Sequence, residues 1–321
     1  VRVGMLLCSS AGNDILFDES QVEQGRNFSN KIWNSYRLIK GWSVDNDAVQ
    51  PEESAIAVKW FDNLLSQSIE TINDHFEKFR LSDALMLLYK LFWDDFCAWY
   101  LEIIKPGTGK GVDRKSYEAT INYMDKLLRL LHPFIPFITE ELWQNIVQRS
   151  ENESIMIAQM PSASKFDSGF LNSFNLGRNA IVNIRNIRQS KGISSKESLN
   201  LFVKGNLRSE MSSIIGKMAN ISSVKDFSEK GENISGASFM VETTEFFVPL
   251  TGKVDIKEEL SKIESELKHL EGFLKGVNAK LSNEKFMSGA PKQVIDTELK
   301  KRSDAGIKIE KLNQQRNELL K

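Results

Sequence analysis

Eight apolar residues near the C-terminal end repeat in heptads, and this repeat limits the segment to one kind of structure. They follow one another at spacings of four and three without a slip: Ile256, Leu260, Ile263, Leu267, Leu270, Leu274, Val277 and Leu281. Such spacing keeps a narrow apolar seam turned toward a partner helix. Ser282–Pro291 interrupts the pattern, and a second helical run returns to Lys321. Residues 253–321 are therefore predicted to form an antiparallel coiled-coil hairpin, here called the arm.

The bulk composition excludes several functional classes. With 42 basic and 43 acidic residues the net charge is −1, so overall charge does not mark a nucleic-acid-binding protein. Cys8 and Cys97 are too few for a Cys₄ or Cys₂His₂ zinc site, and two distant thiols indicate a reducing compartment. Because the sequence has no apolar run of membrane-spanning length, we expect a soluble, cytoplasmic protein.

The N-terminal end resembles the middle of a secondary-structure element. It begins Val1-Arg2-Val3-Gly4-Met5, without an initiator methionine. We expect the chain to be a C-terminal fragment of a longer protein. The alternative is a native strand exposed by processing.

Five helical patterns predict an antiparallel helical bundle over residues 22–150. They cover 22–40, 51–79, 82–104, 115–131 and 136–147. Pro51 followed by two glutamates marks a helix start, because proline suits the first turn and acids suit the positive end of the helix dipole. Short links between successive helices favour antiparallel neighbours. The 21 residues before the bundle are assigned to a separate segment, 1–21.

A small α+β domain is predicted over residues 151–252. Its expected strands are 155–160, 199–204, 224–227, 237–242 and 245–249, and its expected helices are 170–189 and 208–219. The last two strands are predicted to form a hairpin around Thr243-Thr244. The fold class as a whole is mostly α.

The sequence contains no recognisable catalytic constellation or metal site. The three histidines have no ligand or nucleophile spacing: His75, His132 and His269. Gly107–Gly111 lacks the full phosphate-loop pattern and follows a helix, so a surface loop is expected. Asp94 and Asp95 would point about 100° apart on a helix and could not share a proton. We therefore predict no catalytic residue and no metal ligand.

One helix carries a local basic signal. Residues 174–192 contain Arg178, Arg185, Arg188 and Lys191 and no acid, a net charge of +4. On a helical wheel Arg178 and Arg185 lie opposite the apolar side, so the segment is a candidate phosphate-binding ridge. The alternative is a solvated basic face without a ligand.

The first bundle helix carries a second signal. Its polar face groups basic, amide and aromatic side chains: Arg26, Asn30, Lys31, Trp33, Asn34 and Arg37. An exposed aromatic between arginine and asparagine is suited to stacking on unpaired bases and hydrogen bonding to them. The alternative is that Trp33 packs between helices.

The arm is nearly balanced in charge, with 14 basic and 12 acidic residues over 255–321. Its expected tip carries Lys285, a candidate RNA contact. For the arm alone, pairing with a protein partner is an equally good interpretation.

Several motifs together resemble the C-terminal half of valyl-tRNA synthetases. They are the stretches Gly12–Glu19, Gly25–Asn34, Phe92–Glu102, Leu131–Trp143, Ile184–Arg188 and Leu281–Phe286, the last followed by Ala290-Pro291. The resemblance covers essentially the whole chain. The proline-rich stretch before Glu140-Glu141 is shared with related class I synthetases, whereas the arm and its turn are more specific to the valine family.

The resemblance implies an architecture and a division of labour. Residues 1–21 would be the tail of the catalytic core, the bundle would bind the anticodon, and the arm would contact the outer corner of tRNA(Val). Activation of valine with ATP and magnesium would occur in a nucleotide-binding domain carrying HIGH-type and KMSKS-type motifs. This sequence has neither motif and no editing domain, so by itself it is expected to be inactive and to need no cofactor. We expect a monomer with no membrane contact.

Two alternatives remain at this stage. One is the matching region of an isoleucine or leucine enzyme, although the former often has a C-terminal zinc site and the latter should lack the arm. The other is a non-enzymatic scaffold whose arm pairs with another protein.

Overall fold

The computed structural model describes residues 1–8, 17–150, 152–230, 234–250, 256–282 and 292–319. Most of these residues are helical. The α-helices are α1 (Arg2–Cys8), α2 (Glu19–Lys40), α3 (Glu52–Glu77), α4 (Leu81–Lys90), α5 (Leu101–Ile104), α6 (Arg114–Leu131), α7 (Pro136–Ile146), α8 (Ser168–Ser190), α9 (Met211–Ala219), α10 (Ile256–Leu281) and α11 (Lys292–Leu319). A π-helix, π1 (Leu91–Tyr100), joins α4 to α5.

In the part of the chain that the structure describes, six short strands form two sheets. The strands are β1 (Val44–Asp45), β2 (Val112–Asp113), β3 (Leu199–Lys204), β4 (Ile221–Asp226), β5 (Gly236–Val241) and β6 (Thr244–Pro249). β1 and β2 pair in parallel, and the larger sheet has the order β4-β3-β6-β5. β3 pairs in parallel with β4 through the crossover helix α9, and antiparallel with β6, with Phe202 opposite Phe247. The four strands of this sheet agree to within a few residues with the strands predicted at 199–204, 224–227, 237–242 and 245–249.

The core around α3 is built from aromatic rings. Phe61 contacts Phe96, Tyr100 and Tyr123 at centroid distances of 5.3, 5.1 and 5.0 Å. The buried phenol of Tyr100 hydrogen-bonds Thr120 at 2.9 Å, which satisfies a polar group inside the apolar core. Because these rings come from α3, π1 and α6, they hold the three helices together.

Helix α1 approaches α2 through glycine. A Cβ atom on Gly4 would lie 2.6 Å from the Cα of Val22 and 2.8 Å from a backbone oxygen of the same helix. A side chain larger than hydrogen cannot fit there without moving a backbone. The start of the chain, which resembles the middle of a secondary-structure element in the sequence, is thus a helix packed closely against α2.

Two predicted elements differ in kind from the structure. The expected helix 82–104 is divided into α4, π1 and α5, because hydrogen bonds in π1 reach one residue farther along the chain. The strand expected at 155–160 is wrong: Ile155–Ile157 is a 3₁₀ turn. Glu140 accepts hydrogen bonds from the Ser154 hydroxyl at 2.8 Å and from the Ile155 amide at 3.4 Å, and these tertiary contacts hold the turn.

The described residues fall into two compact units, and α10 and α11 belong to the second. Within the parts of the chain that the structure describes, no helix has both the length and the apolar character needed to cross a membrane. The interruption predicted at Ser282–Pro291 lies almost wholly outside the described residues, as does most of the motif Gly12–Glu19.

Candidate nucleic-acid interface

Helix α2 has one buried side and one exposed side, as its sequence predicts. Phe28, Ile32 and Ile39 are fully buried. The side chains on the opposite side are exposed: Arg26, Asn30, Trp33, Asn34 and Arg37. Trp33 retains 40% of its surface, with its ring 6.2 Å from that of Tyr36. Trp33 is therefore not fully enclosed between helices.

The local sequence explains why α2 forms despite its polar face. Asp18 caps the helix by accepting a hydrogen bond from the Ser20 amide at 2.9 Å. Glu19 in the first turn and Lys40 in the last turn complement the helix dipole. Asparagine is a poor helix former, so the exposed amides in mid-helix do not add to helix stability.

The charged groups of the α2 face are only weakly engaged. Arg26 pairs with Glu23 at 2.7 Å, but both side chains are more than 60% exposed. Exposed ion pairs contribute little to stability, so a ligand phosphate could replace Glu23 at low cost. Lys31 differs from its neighbours because it is half-buried, with its ammonium 5.3 Å from the centroid of the Trp93 ring.

A cavity of about 480 Å³ adjoins the α2 face. Arg26 and Asn30 line it together with the apolar segment 134–138 and the first three residues of the chain. Phe137 on its wall is 89% exposed. Sequence reasoning missed Phe137, because a helix-terminal phenylalanine in an apolar stretch resembles a core residue.

Arg178 does not lie on an open ridge. Its guanidinium donates to Asp95 at 2.6 Å and lies 4.8 Å from the centroid of the Trp99 ring. Both partners in the ion pair are largely buried, with 25% and 19% of the side chains exposed. Burial raises the pKa of Asp95, and Arg178 opposes that rise. The Arg178–Asp95 pair joins α8 to π1 and is therefore a structural contact.

Arg185 remains exposed but has a structural partner as well. Its Nε and Nη2 donate to the carbonyl oxygen of Met218 at 3.3 and 2.9 Å, and its guanidinium is 5.6 Å from the Trp99 centroid. One carbonyl occupies only part of the five-donor guanidinium, so Arg185 keeps donors for a phosphate.

Arg188 is buried, which corrects the expectation of a continuous exposed ridge. Only 5% of its surface is accessible, and its Nη1 donates to the carbonyl oxygen of Ser194 at 2.9 Å. Burial lowers its pKa, while Glu197 acts in the opposite direction. The helical wheel located one apolar side of α8, but it could not show that polar segments cover other sides.

The remaining sequence candidates are structural or undescribed. Asp94 is exposed while Asp95 pairs with Arg178, so they do not form a carboxylate pair. His132 Nδ1 hydrogen-bonds the Thr139 hydroxyl at 2.8 Å. Lys285, the candidate contact at the arm tip, lies outside the described residues.

Comparisons with known proteins bear on both halves of the chain. Residues 58–203 match the family model for the anticodon-binding domain of tRNA ligase, and residues 255–320 match the model for the valyl tRNA synthetase tRNA binding arm. The chain is 49% identical over 314 residues to the valine–tRNA ligase of Parabacteroides distasonis, covering 98% of this chain. The chain belongs to the valyl-tRNA synthetase family.

Other members of the family align over the same share of the chain. The valine–tRNA ligase of Bacteroides thetaiotaomicron is 49% identical over 317 residues, and that of Fusobacterium nucleatum is 33% identical over 332. Each comparison covers 98% of this chain. The chain spans only 36–37% of the length of these relatives.

The family models divide the candidate residues. Arg178, Arg185 and Arg188 lie within the stretch matched by the anticodon-binding model, whereas α2 precedes it. Helices α10 and α11 lie within the stretch matched by the arm model. Of the two faces predicted for nucleic acid, the one on α2 is the more open in this family member.

Proposed function

We propose that this chain is the tRNA-binding region of a valine–tRNA ligase and that it binds tRNA(Val). The observation that carries the proposal is the match of two separate stretches to two tRNA-binding family models, 58–203 and 255–320. The exposed α2 face supports it, because its aromatic, amide and guanidinium groups are those that bind unpaired bases and phosphates. The arm model favours the valine enzyme over an isoleucine or leucine enzyme.

The domain organisation proposed with this function follows the sequence prediction. Residues 1–21 form the end of the catalytic core, 22–150 the anticodon-binding bundle, 151–252 a small α+β domain, and 253–321 the arm. The arm is proposed to be an antiparallel coiled coil. In its support, α10 contacts α11, and Leu267 and Val277 of the heptad seam are buried.

A charge contact also supports the antiparallel arrangement of the arm. The Lys301 ammonium, 2.8 Å from the Glu298 carboxylate, lowers the pKa of Glu298, and Lys280 lowers it further. Lys280 is near the end of α10, whereas Glu298 is near the start of α11. The effect of Lys280 on Glu298 supports a hairpin, in which the end of one helix lies near the start of the other.

In the proposed mechanism the chain positions tRNA and makes no bonds itself. Bases of the anticodon loop stack on Trp33 and accept or donate hydrogen bonds at Asn30 and Asn34. Arg26 and Arg37 neutralise nearby phosphates. Held in this way, the acceptor end of the tRNA is oriented for transfer of valine at a catalytic domain elsewhere in the enzyme. ATP and magnesium would act there, in the cytoplasm, in a monomeric enzyme.

Salt titration of binding to a tRNA(Val) transcript tests the proposal. For binding that depends on phosphate contacts, the logarithm of the association constant falls linearly with the logarithm of the salt concentration. The slope is about −1 for each phosphate contact. We expect the double variant Arg26→Ala/Arg37→Ala to bind about 10-fold more weakly and to lose roughly two units of slope.

A matched control comes from another exposed ion pair. Arg114 pairs with Glu118 at 2.8 Å, and both side chains are 62% exposed, much as in the Arg26–Glu23 pair. Arg114→Ala should change neither the affinity nor the slope. If it weakens binding as much as the α2 variant does, the effect is general charge and the α2 assignment is wrong. A wild-type chain that retains a protein partner through α10 but no tRNA would support the scaffold instead.

A further inference from the structure

A ladder of aromatic rings runs from the core to the surface beside α2. The ring of Phe28, which is fully buried, is 4.7 Å from that of Tyr89. Tyr89 in turn stacks on Trp93, with centroids 5.5 Å apart and ring planes within 14°. Tyr89 and Trp93 are both half-buried. Each ring therefore contacts the next, from the buried Phe28 to the half-buried Tyr89 and Trp93.

One of the side chains that lie over Trp93 is flexible. The Lys31 ammonium lies over the indole at 5.3 Å, a cation–π distance. At a partly exposed site such a contact is weak, and the long lysine stem can turn away with little cost. If the ammonium moved off the ring, it would release that part of the indole, while Tyr89 would still stack on the ring.

The surroundings of Trp93 suit a nucleotide. Asn27 lies one turn before Lys31 on the same side of α2, and Asn34 lies one turn after it; both are exposed. Within four residues of Trp93 along the chain, the exposed charged side chains are Lys90 and Asp94. Together with Lys31 they give a net charge of +1, which does not repel a phosphate.

We propose that Trp93 is a stacking site for one unpaired base of the tRNA and that Lys31 moves from the ring to an adjacent phosphate. This inference rests on the proposed tRNA-binding function and adds a base-binding residue to it. The site differs from Trp33, because Trp33 and Lys31 are about 160° apart around α2 at ~100° per residue. The outer face of α2 thus has an aromatic ring at each edge, with the asparagines between them.

Substitutions at Trp93 separate stacking from packing. Trp93→Phe keeps an aromatic face, whereas Trp93→Leu keeps apolar volume against Tyr89 but has no such face. Because stacking of one base changes affinity by roughly 10-fold, we expect Trp93→Leu to bind the tRNA(Val) transcript about 10-fold more weakly and Trp93→Phe to retain most of the affinity. Phe79→Leu is the matched control, since Phe79 is 81% exposed elsewhere on the same unit.

Transcripts with one abasic nucleotide in the anticodon loop identify the stacked base. The full 321-residue chain is used throughout. At one loop position, removing the base should weaken wild-type binding by the same factor as Trp93→Leu, and should have no further effect on that variant. Such non-additivity is expected when both changes remove one contact. Unfolding curves confirm that the variants are folded under the assay conditions.

The possible outcomes distinguish this inference from the function beneath it. The wild type could bind tRNA with a steep salt dependence while Trp93→Leu weakens the binding of every abasic transcript by the same factor as it weakens the binding of the intact one. In that case the stacking site is wrong and the proposed function stands. The same conclusion follows if Trp93→Leu and Trp93→Phe bind equally well. If the wild type does not bind tRNA at all, both proposals are overturned.

Discussion

The turn that ends α3 contains a bulky residue where glycine is the usual choice. Phe79 has a φ of 54°, in the left-handed region. The Arg80 amide donates to the carbonyl of His75 at 2.8 Å, and the Phe79 amide donates to that of Phe76 at 3.1 Å. These two bonds define a Schellman motif, whose left-handed position favours a residue without Cβ. We predict that Phe79→Gly is more stable than Phe79→Ala.

The magnitude follows from two opposing terms. An L-residue in the left-handed region costs about 1–2 kcal/mol, and glycine avoids that cost. Against this, glycine destabilises the folded protein by about 0.5–1 kcal/mol, because the unfolded chain has more conformational freedom with glycine than with alanine. Both variants lose the same ring, which is 81% exposed, so this loss cancels in the comparison. The net difference should be roughly 0.5–1 kcal/mol in favour of glycine.

Paired measurements at Phe79 and Glu70 give a sign that can be refuted. Glu70 is exposed in the interior of α3, where alanine should be more stable than glycine by about 1 kcal/mol. Urea unfolding gives each difference, and hydrogen exchange of α3 and α4 amides assigns it to this region. If alanine is more stable than glycine at both positions, the left-handed conformation assigned to Phe79 is wrong.

Three further changes test other contacts. Arg178→Ala leaves Asp95 largely buried without its cation and should cost about 2 kcal/mol in urea unfolding, beyond any loss of tRNA affinity; unchanged stability would restore the open-ridge interpretation. Gly4→Ala places Cβ 2.6 Å from the backbone of α2 and should speed amide hydrogen exchange in α1. Gly272→Ala is the control: its Cβ would have no neighbouring atom within 4 Å, so alanine should stabilise that helix. Equal effects of the two substitutions would refute the close approach of α1 to α2. Burial lowers the pKa of His132 below its ordinary 6.5, so folding disfavours the protonated ring. The free energy of unfolding should therefore fall as the pH drops through and below 6.5. His132→Asn should flatten this pH dependence when unfolding is measured across the same range.

The helices with one apolar side were predictable to within a few residues. The pattern at 22–40 corresponds to α2, and the alternation at 199–204 corresponds to β3. Such elements are predictable because the period of their apolar residues reports the one side that is buried. The turn at Ile155–Ile157 was not, since its conformation depends on hydrogen bonds to Glu140, which the apolar residues of the segment do not encode.

The exposure of the candidate residues was predictable on α2 but only partly on α8. A wheel drawn on α2 separates core from solvent because the helix has a single apolar side. On α8, Arg178 and Arg188 are enclosed by Asp95 and by the carbonyl of Ser194, which no count of basic residues could show. Trp93, which is proposed above as a stacking residue, and the exposed Phe137 were not singled out from the sequence, since an aromatic residue in an apolar motif is ordinarily part of the core.

The sequence by itself determined the mostly helical fold, the heptad seam of the arm, the polar face of α2 and the relationship to the valine family. These are local or cumulative properties, written in the spacing and identity of neighbouring residues. Only the tertiary structure decided which cations are free to meet a ligand. An arginine is free to bind a ligand only if no distant segment places a hydrogen-bond acceptor beside it. The position of such acceptors depends on tertiary packing, which the apolar period of a single helix does not report.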